Sequence, residues 1–148
     1  MIRNDPQQRQ VIILNCLGCR IANHIEPNVQ VVYENEFVTC VLDCAPFNEG
    51  HILILPKVHY DDLDQISRQT LAAIMDASVL MSSKLKLVFN PDGITICQNG
   101  GVFNDLSHYH MHVIPRHKGD GFGWSEPLIA HHAETRLQET RERIARTF

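Results

Sequence analysis

From Ser107 to Arg116 the chain reads Ser-His-Tyr-His-Met-His-Val-Ile-Pro-Arg, with histidine and apolar residues alternating from His108 to Val113. A period of two is the mark of a β-strand, whose successive side chains point to opposite faces. His108, His110 and His112 therefore project together, and Tyr109, Met111 and Val113 project the other way into apolar packing. Such a strand requires a sheet with one greasy face and one face carrying three imidazoles. Nine histidines in 148 residues make this recurrence hard to ascribe to composition. Three aligned core histidines would bring repeated desolvation with no structural return. A transition-metal site, with the imidazoles as ligands and Asp105 as an added carboxylate, stays open on these residues alone.

The rest of the chain supplies a sheet of α+β class. Val29–Glu34 and Phe37–Asp43 read as strands joined by a tight turn at Asn35-Glu36. Pro46, Asn48 and Gly50 break the chain before His51–Leu55, which Pro56 closes. Three consecutive strands predict antiparallel pairing. Helical spacing follows Asp64, with Ser67 as N-cap, a stripe of Ile66, Leu71, Ile74, Met81 and Leu85, and Ala72, Ala73 and Ala77 filling in. Asn90-Pro91-Asp92-Gly93 ends it. Gly93–Gln98 and His108–Ile114 become the fourth and fifth strands. From Ala133 to Arg146, Glu and Arg alternate at helical spacing, predicting a solvated C-terminal helix. Residues 1–10 read as a polar, flexible arm, and 11–148 as a single domain.

Composition narrows the partners. Seventeen acidic against thirteen basic side chains, a formal charge of −4, argue against bulk nucleic-acid binding. No apolar run approaches the roughly 20 residues of a membrane span. Five cysteines are an odd number, and Val11–Leu14 is too short an apolar core for an export signal, so a cytoplasmic protein without a disulfide framework is expected.

The histidine strand resembles the motif of the histidine triad (HIT) superfamily of nucleotide hydrolases and transferases. The match extends through Cys16-Leu17-Gly18-Cys19-Arg20-Ile21, Val32-Tyr33-Glu34, Val41-Leu42-Asp43, Gly50–Lys57, Pro115-Arg116 and Gly119–Phe122, and covers roughly residues 14 to 124. The resemblance implies a five-stranded antiparallel sheet with a long helix, pairing into a ten-stranded sheet in a homodimer. It also implies a small nucleotide substrate, such as a dinucleoside polyphosphate or nucleoside phosphoramidate, hydrolysed at the α-phosphate through a nucleotidyl-histidine.

By the same resemblance the catalytic set is His108, His110, His112 and His51. His110 is the nucleophile, its Nδ1–H held by a carbonyl at or near His112, and His112 and His51 are donors to the phosphoryl oxygens. Asp43 would accept the ribose hydroxyls, Leu17, Ile21, Leu42 and Cys44 would wall the base, and Asn99 would add a polar contact. Two departures stand out. Phe103-Asn104-Asp105-Leu106-Ser107 replaces a Gly-Gln-Ser pattern, leaving Asn104 to reach the leaving-group oxygen and putting a carboxylate, Asp105, where a polyphosphate would be repelled. Gly18 replaces an aromatic between the cysteines, which would open the base pocket. No cofactor is needed for the chemistry. Cys16, Cys19, His59 and His108 would hold a structural zinc, whereas Cys40, Cys44 and Cys97 read as small strand hydrophobes. Arg116, Lys118 and Lys57 read as solvated charges. The rivals are a metal-dependent hydrolase with its ion on the histidine strand, and a silent nucleotide-binding protein.

Overall fold

The computed structural model describes residue 11 and residues 14–148; the expected arm at 1–10 lies outside them. A short helix, α1 (Leu17–Ala22), precedes three strands, β1 (Val31–Glu34), β2 (Val38–Leu42) and β3 (Ile52–Pro56). The long helix α2 (Arg68–Phe89) follows, then β4 (Gly93–Cys97), β5 (Met111–Arg116) and the C-terminal α3 (Leu137–Ala145), the last preceded by a 3-10 turn at Ala133–Arg136. The strands form one five-stranded sheet in the order β1-β2-β3-β5-β4, each neighbour antiparallel. The α+β architecture matches the sequence expectation.

Local chemistry sets the boundaries. Asn35 closes the β1–β2 hairpin by accepting the Phe37 and Val38 N–H groups on its Oδ1. Ser67 caps α2 by accepting Thr70 N–H, and Asn90, in the left-handed region at φ 45°, ends it. The buried stripe of α2 is Thr70, Ala73, Ile74, Ala77, Ser78, Met81 and Leu85. Leu71 is only half-buried and Ala72 is exposed, a correction to the predicted stripe. Hydroxyls take those places because the helix satisfies them, Ser78 donating to Met75 O and Thr70 accepting from Ser67 Oγ.

α2 covers one face of the sheet, packing Ile74, Ala77, Met81 and Leu85 on Val38, Cys40, Ile52, Ile54, Tyr109, Met111 and Val113. The other face packs Val41 and Leu55 against Ala22 of α1, where buried Thr39 Oγ1 donates to Ala22 O. Each fully buried aliphatic side chain contributes about 1.5–3 kcal/mol.

Several predicted strand ends shift by one to three residues, two of them at the histidines. β5 begins at Met111, not His108, because Pro56 opposite has no N–H for the ladder. In its place His108 Nε2 donates to Pro56 O at 2.9 Å and Tyr109 N–H to Tyr60 O at 2.7 Å. His51 precedes β3 by one residue, after Gly50, whose φ of +87° and close approach to Phe89 exclude a side chain.

Candidate active site

Alternation survives the shortened strand: Tyr109, Met111 and Val113 join the core under α2, and the three histidines occupy the opposite side. His112 sits in register with Leu53 of β3 and Cys97 of β4. Next to it, His51 is buried and held from several directions. Phe47 N–H donates to His51 Nδ1 at 3.3 Å, the Phe47 ring stacks on the imidazole at 5.5 Å, and Asp43 Oδ2 stands 3.5 Å from the same nitrogen. With Nδ1 accepting, the proton of neutral His51 is on Nε2, which donates to His112 Nδ1 at 2.9 Å. This assigns the His112 proton to Nε2 in turn. Burial holds His51 below its ordinary pKa, with Asp43 opposing. His112 is pushed down to about 4 by burial and by the neighbouring His110 and His51, so both rings are neutral near pH 7.

His110 is 2% exposed. Its Nδ1–H donates to the carbonyl of His108 at 2.9 Å, which leaves a lone pair on Nε2. The carbonyl, expected at or near His112, is that of His108, two residues before His110. Asn104 also donates to His108 O, at 3.3 Å. Asp105 Oδ1 lies 3.5 Å from His110 Nε2. A neutral imidazole with one nitrogen fixed and the other bearing a lone pair is a nucleophile, and a neighbouring N–H donor can receive the charge that builds on an attacked group.

The second constellation is Cys16, Cys19, His59 and His108, whose ligand atoms all lie within 4.8 Å of one another. His108 Nδ1 is 3.5 Å from Cys16 Sγ and 3.4 Å from Cys19 Sγ, and His59 Nδ1 is 3.4 Å from Cys19 Sγ. Zinc–sulfur bonds of about 2.3 Å and zinc–nitrogen bonds of about 2.0–2.1 Å put tetrahedral ligands roughly 3.5 Å apart, so the four residues fit the ion. The outer contacts fit as well. His108 Nε2–H is held by Pro56 O and His59 Nε2–H by Asp61 Oδ1 at 3.1 Å, turning both Nδ1 lone pairs inward. Burial pushes His108 down to about 4, so it is neutral. His108 serves both constellations, its ring in this one and its carbonyl in the other.

The remaining predicted residues are placed less uniformly. Asp43 is half-buried, with Oδ1 taken by Ala45 N–H. Leu17 and Leu42 are exposed, and Ile21 packs on the cluster of Ala22, Val41 and Leu55. Cys44 lies beyond β2 and is exposed, not a strand hydrophobe. Asn99 is exposed just after β4. Asn104 corrects the expectation of a leaving-group contact: its amide donates to Asp61 O and His108 O, and its Oδ1 accepts Leu106 N–H. Gly18 is also corrected. It opens no pocket, since a Cβ there would come within 2.4 Å of His108 Cβ.

Arg116 and Lys57 are paired rather than solvated. Arg116 grips both oxygens of Asp120 at 2.6 and 2.9 Å and lies 4.2 Å over the Phe122 ring. The guanidinium holds Asp120 far below the usual carboxylate range. Lys57 contacts Glu34 at 2.7 Å. Sequence reasoning missed Asn48, which ties Asp120 to Pro115 O, and Phe47 and Phe122, which meet edge-on beside His51. Asp120 and Phe122 stood inside a motif segment, while Asn48 looked like a turn residue.

A family model described as HIT domain matches residues 24–119, leaving the Cys16/Cys19 pair outside the match. The chain is 34% identical over 112 residues to Protein hit of Bacillus subtilis, covering 74% of this chain and 77% of that protein. It is 31% identical over 119 residues to an adenylylsulfatase of Arabidopsis thaliana, covering 79% of this chain and 60% of that protein. It is 27% identical over 137 residues to an adenosine 5′-monophosphoramidase of Schizosaccharomyces pombe, covering 88% and 99%. Among solved structures, a HIT family member from Bacillus subtilis superposes with a TM-score of 0.79 at 31% identity over 90% of this chain and 97% of that one. A zinc-bound histidine triad family protein from Mycobacterium smegmatis gives 0.69 at 26% identity over 92% and 99%.

Proposed function

The chain belongs to the HIT family, and from that premise we propose that it is a hydrolase of nucleoside phosphate derivatives acting through a covalent nucleotidyl-His110. His110 Nε2 attacks the α-phosphorus, the N–P bond forms, and the leaving group departs with the electron pair of the bond it gives up. Water then attacks the same phosphorus and frees the ring. The observation carrying this reading is the 2.9 Å hydrogen bond from His110 Nδ1–H to His108 O. It aims the lone pair and steadies the positive charge that the ring acquires. His112 Nε2–H serves the non-bridging oxygens, and His51, donating to His112 Nδ1, keeps that proton in place. Asp43 is the acceptor for the ribose, with Leu17, Ile21, Leu42 and Cys44 near the base and Asn99 as a further polar contact.

Cys16, Cys19, His59 and His108 would hold zinc as a closed, structural ion that ties α1 to the histidine segment. In this reading the protein works in the cytoplasm as a homodimer. The rival reading is a metal-dependent hydrolase with its ion on the histidine strand, to which Asp43, His51 and His112 offer ligand atoms within 4.8 Å of one another. The test is turnover of a dinucleoside polyphosphate and a nucleoside phosphoramidate by wild type and His110→Ala. Complete loss in the variant is expected. Substantial residual activity would contradict the mechanism, and loss of all activity on zinc removal would favour the metal-dependent alternative.

A further inference from the structure

Among the described residues, Asp105 is the carboxylate that meets the nucleophilic nitrogen. Its Oδ1 stands 3.5 Å from His110 Nε2, with the His110 side chain 3% exposed and the Asp105 side chain 90% exposed. The line from Nε2 to this carboxylate therefore runs from the buried ring to solvent. A phosphorus reaching Nε2 comes along that line, and in-line displacement sends the leaving group further out along it. Among the described residues, Arg116 is tied to Asp120 and Lys57 to Glu34, and the ion-pair contact of Asp105 is with His110. No lysine or arginine among the described residues forms an ion pair with it.

Resting on the reading of His110 as the nucleophile, we propose that Asp105 selects the leaving group by charge. It disfavours substrates whose leaving group carries negative charge, such as sulfate or polyphosphate, and favours those that release an amine. The carboxylate must swing aside to admit the phosphorus but stays beside the exit. There a like charge is repelled at every stage, and most strongly as the leaving group gathers its electron pair. The amine nitrogen gains a proton from solvent as the P–N bond breaks, keeps the electron pair of that bond and departs as a neutral amine, so its transition state carries no second anion past Asp105. Asp105 touches the departing group without forming a bond to it, and its role is discrimination.

The experiment compares kcat/KM for two substrates with the same adenylyl group, adenosine 5′-phosphosulfate and an adenosine 5′-phosphoramidate of a primary alkylamine. The enzymes are wild type, Asp105→Asn, Asp105→Glu and His110→Ala. Asp105→Asn should shift the ratio toward the phosphosulfate by about tenfold or more, and Asp105→Glu should keep the wild-type ratio. Raising salt from 0.05 to about 0.5 M should narrow the wild-type preference and leave the Asn variant unchanged. A ratio within about twofold of wild type in Asp105→Asn, or equal losses on both substrates, would overturn the proposal. His110→Ala separates the two ideas. Turnover persisting there sinks the nucleophile itself, whereas its loss beside an unchanged Asp105→Asn ratio sinks only the charge selection.

Discussion

At the scale of single residues, the site is a set of assigned protons. Phe47 N–H fixes the tautomer of His51, His51 fixes that of His112, and the His108 carbonyl fixes that of His110. The histidines were legible in the sequence because alternation puts them on one face. The carbonyl was not, because His108 lies outside the regular strand and follows Ser107 at φ 48°. Asn104 braces that carbonyl, so Asn104→Ala should lower kcat by roughly tenfold with KM near wild type, as steady-state kinetics would show. The neutral rings also predict a pH dependence. His51 and His112 have folded-state pKa values below the ordinary histidine value, the latter at about 4. The unfolded chain therefore takes up protons first, and their contribution is complete above about 6.5 and lost as pH falls toward 4. Urea melts should show stability falling by roughly 1–2 kcal/mol between pH 7 and pH 5, and a rise over that interval would refute the neutral pair.

At the scale of elements, α1 and the histidine segment behave as one unit. Gly18 lets the helix backbone lie against His108, and Asn23 clamps the far end by donating to Cys19 O and Lys57 O. Gly18→Ala should cost about 1–3 kcal/mol and weaken zinc uptake, measured by urea melts and zinc titration. Unaltered stability and metal binding would contradict the packing. Chelation should likewise lower the melting temperature while turnover survives at least in part, since zinc is given no chemical step. α2 was legible down to its cap at Ser67 and its stop at Asn90. Its phase was not, because burying Thr70 and Ser78 depends on hydroxyls satisfied within the helix, a detail hydropathy cannot carry. Asn48 and Asp120 escaped for a related reason: they are 72 residues apart, and nothing local marks their pairing.

At the scale of the whole molecule, the sheet ends in two open edges, β1 and β4, and α2 leaves Met75, Val79, Leu87 and Val88 exposed. Unpaired edges and exposed apolar surface are what a second copy would cover, and light scattering should give twice the 16.9 kDa chain mass. Val79→Glu with Leu87→Glu should return it to one chain mass, and a wild type already monomeric would remove the dimer from the account. The architecture was legible in the sequence because alternation, caps and turns all agreed. The proposed reaction turns on one atom, His110 Nε2, and intact-mass spectrometry of the whole protein, quenched during turnover without acid, reads its occupancy. Wild type should gain the mass of one nucleoside monophosphate, mapping to His110 and absent from His110→Ala. Turnover with no adduct, or an adduct on another residue, would contradict that reaction.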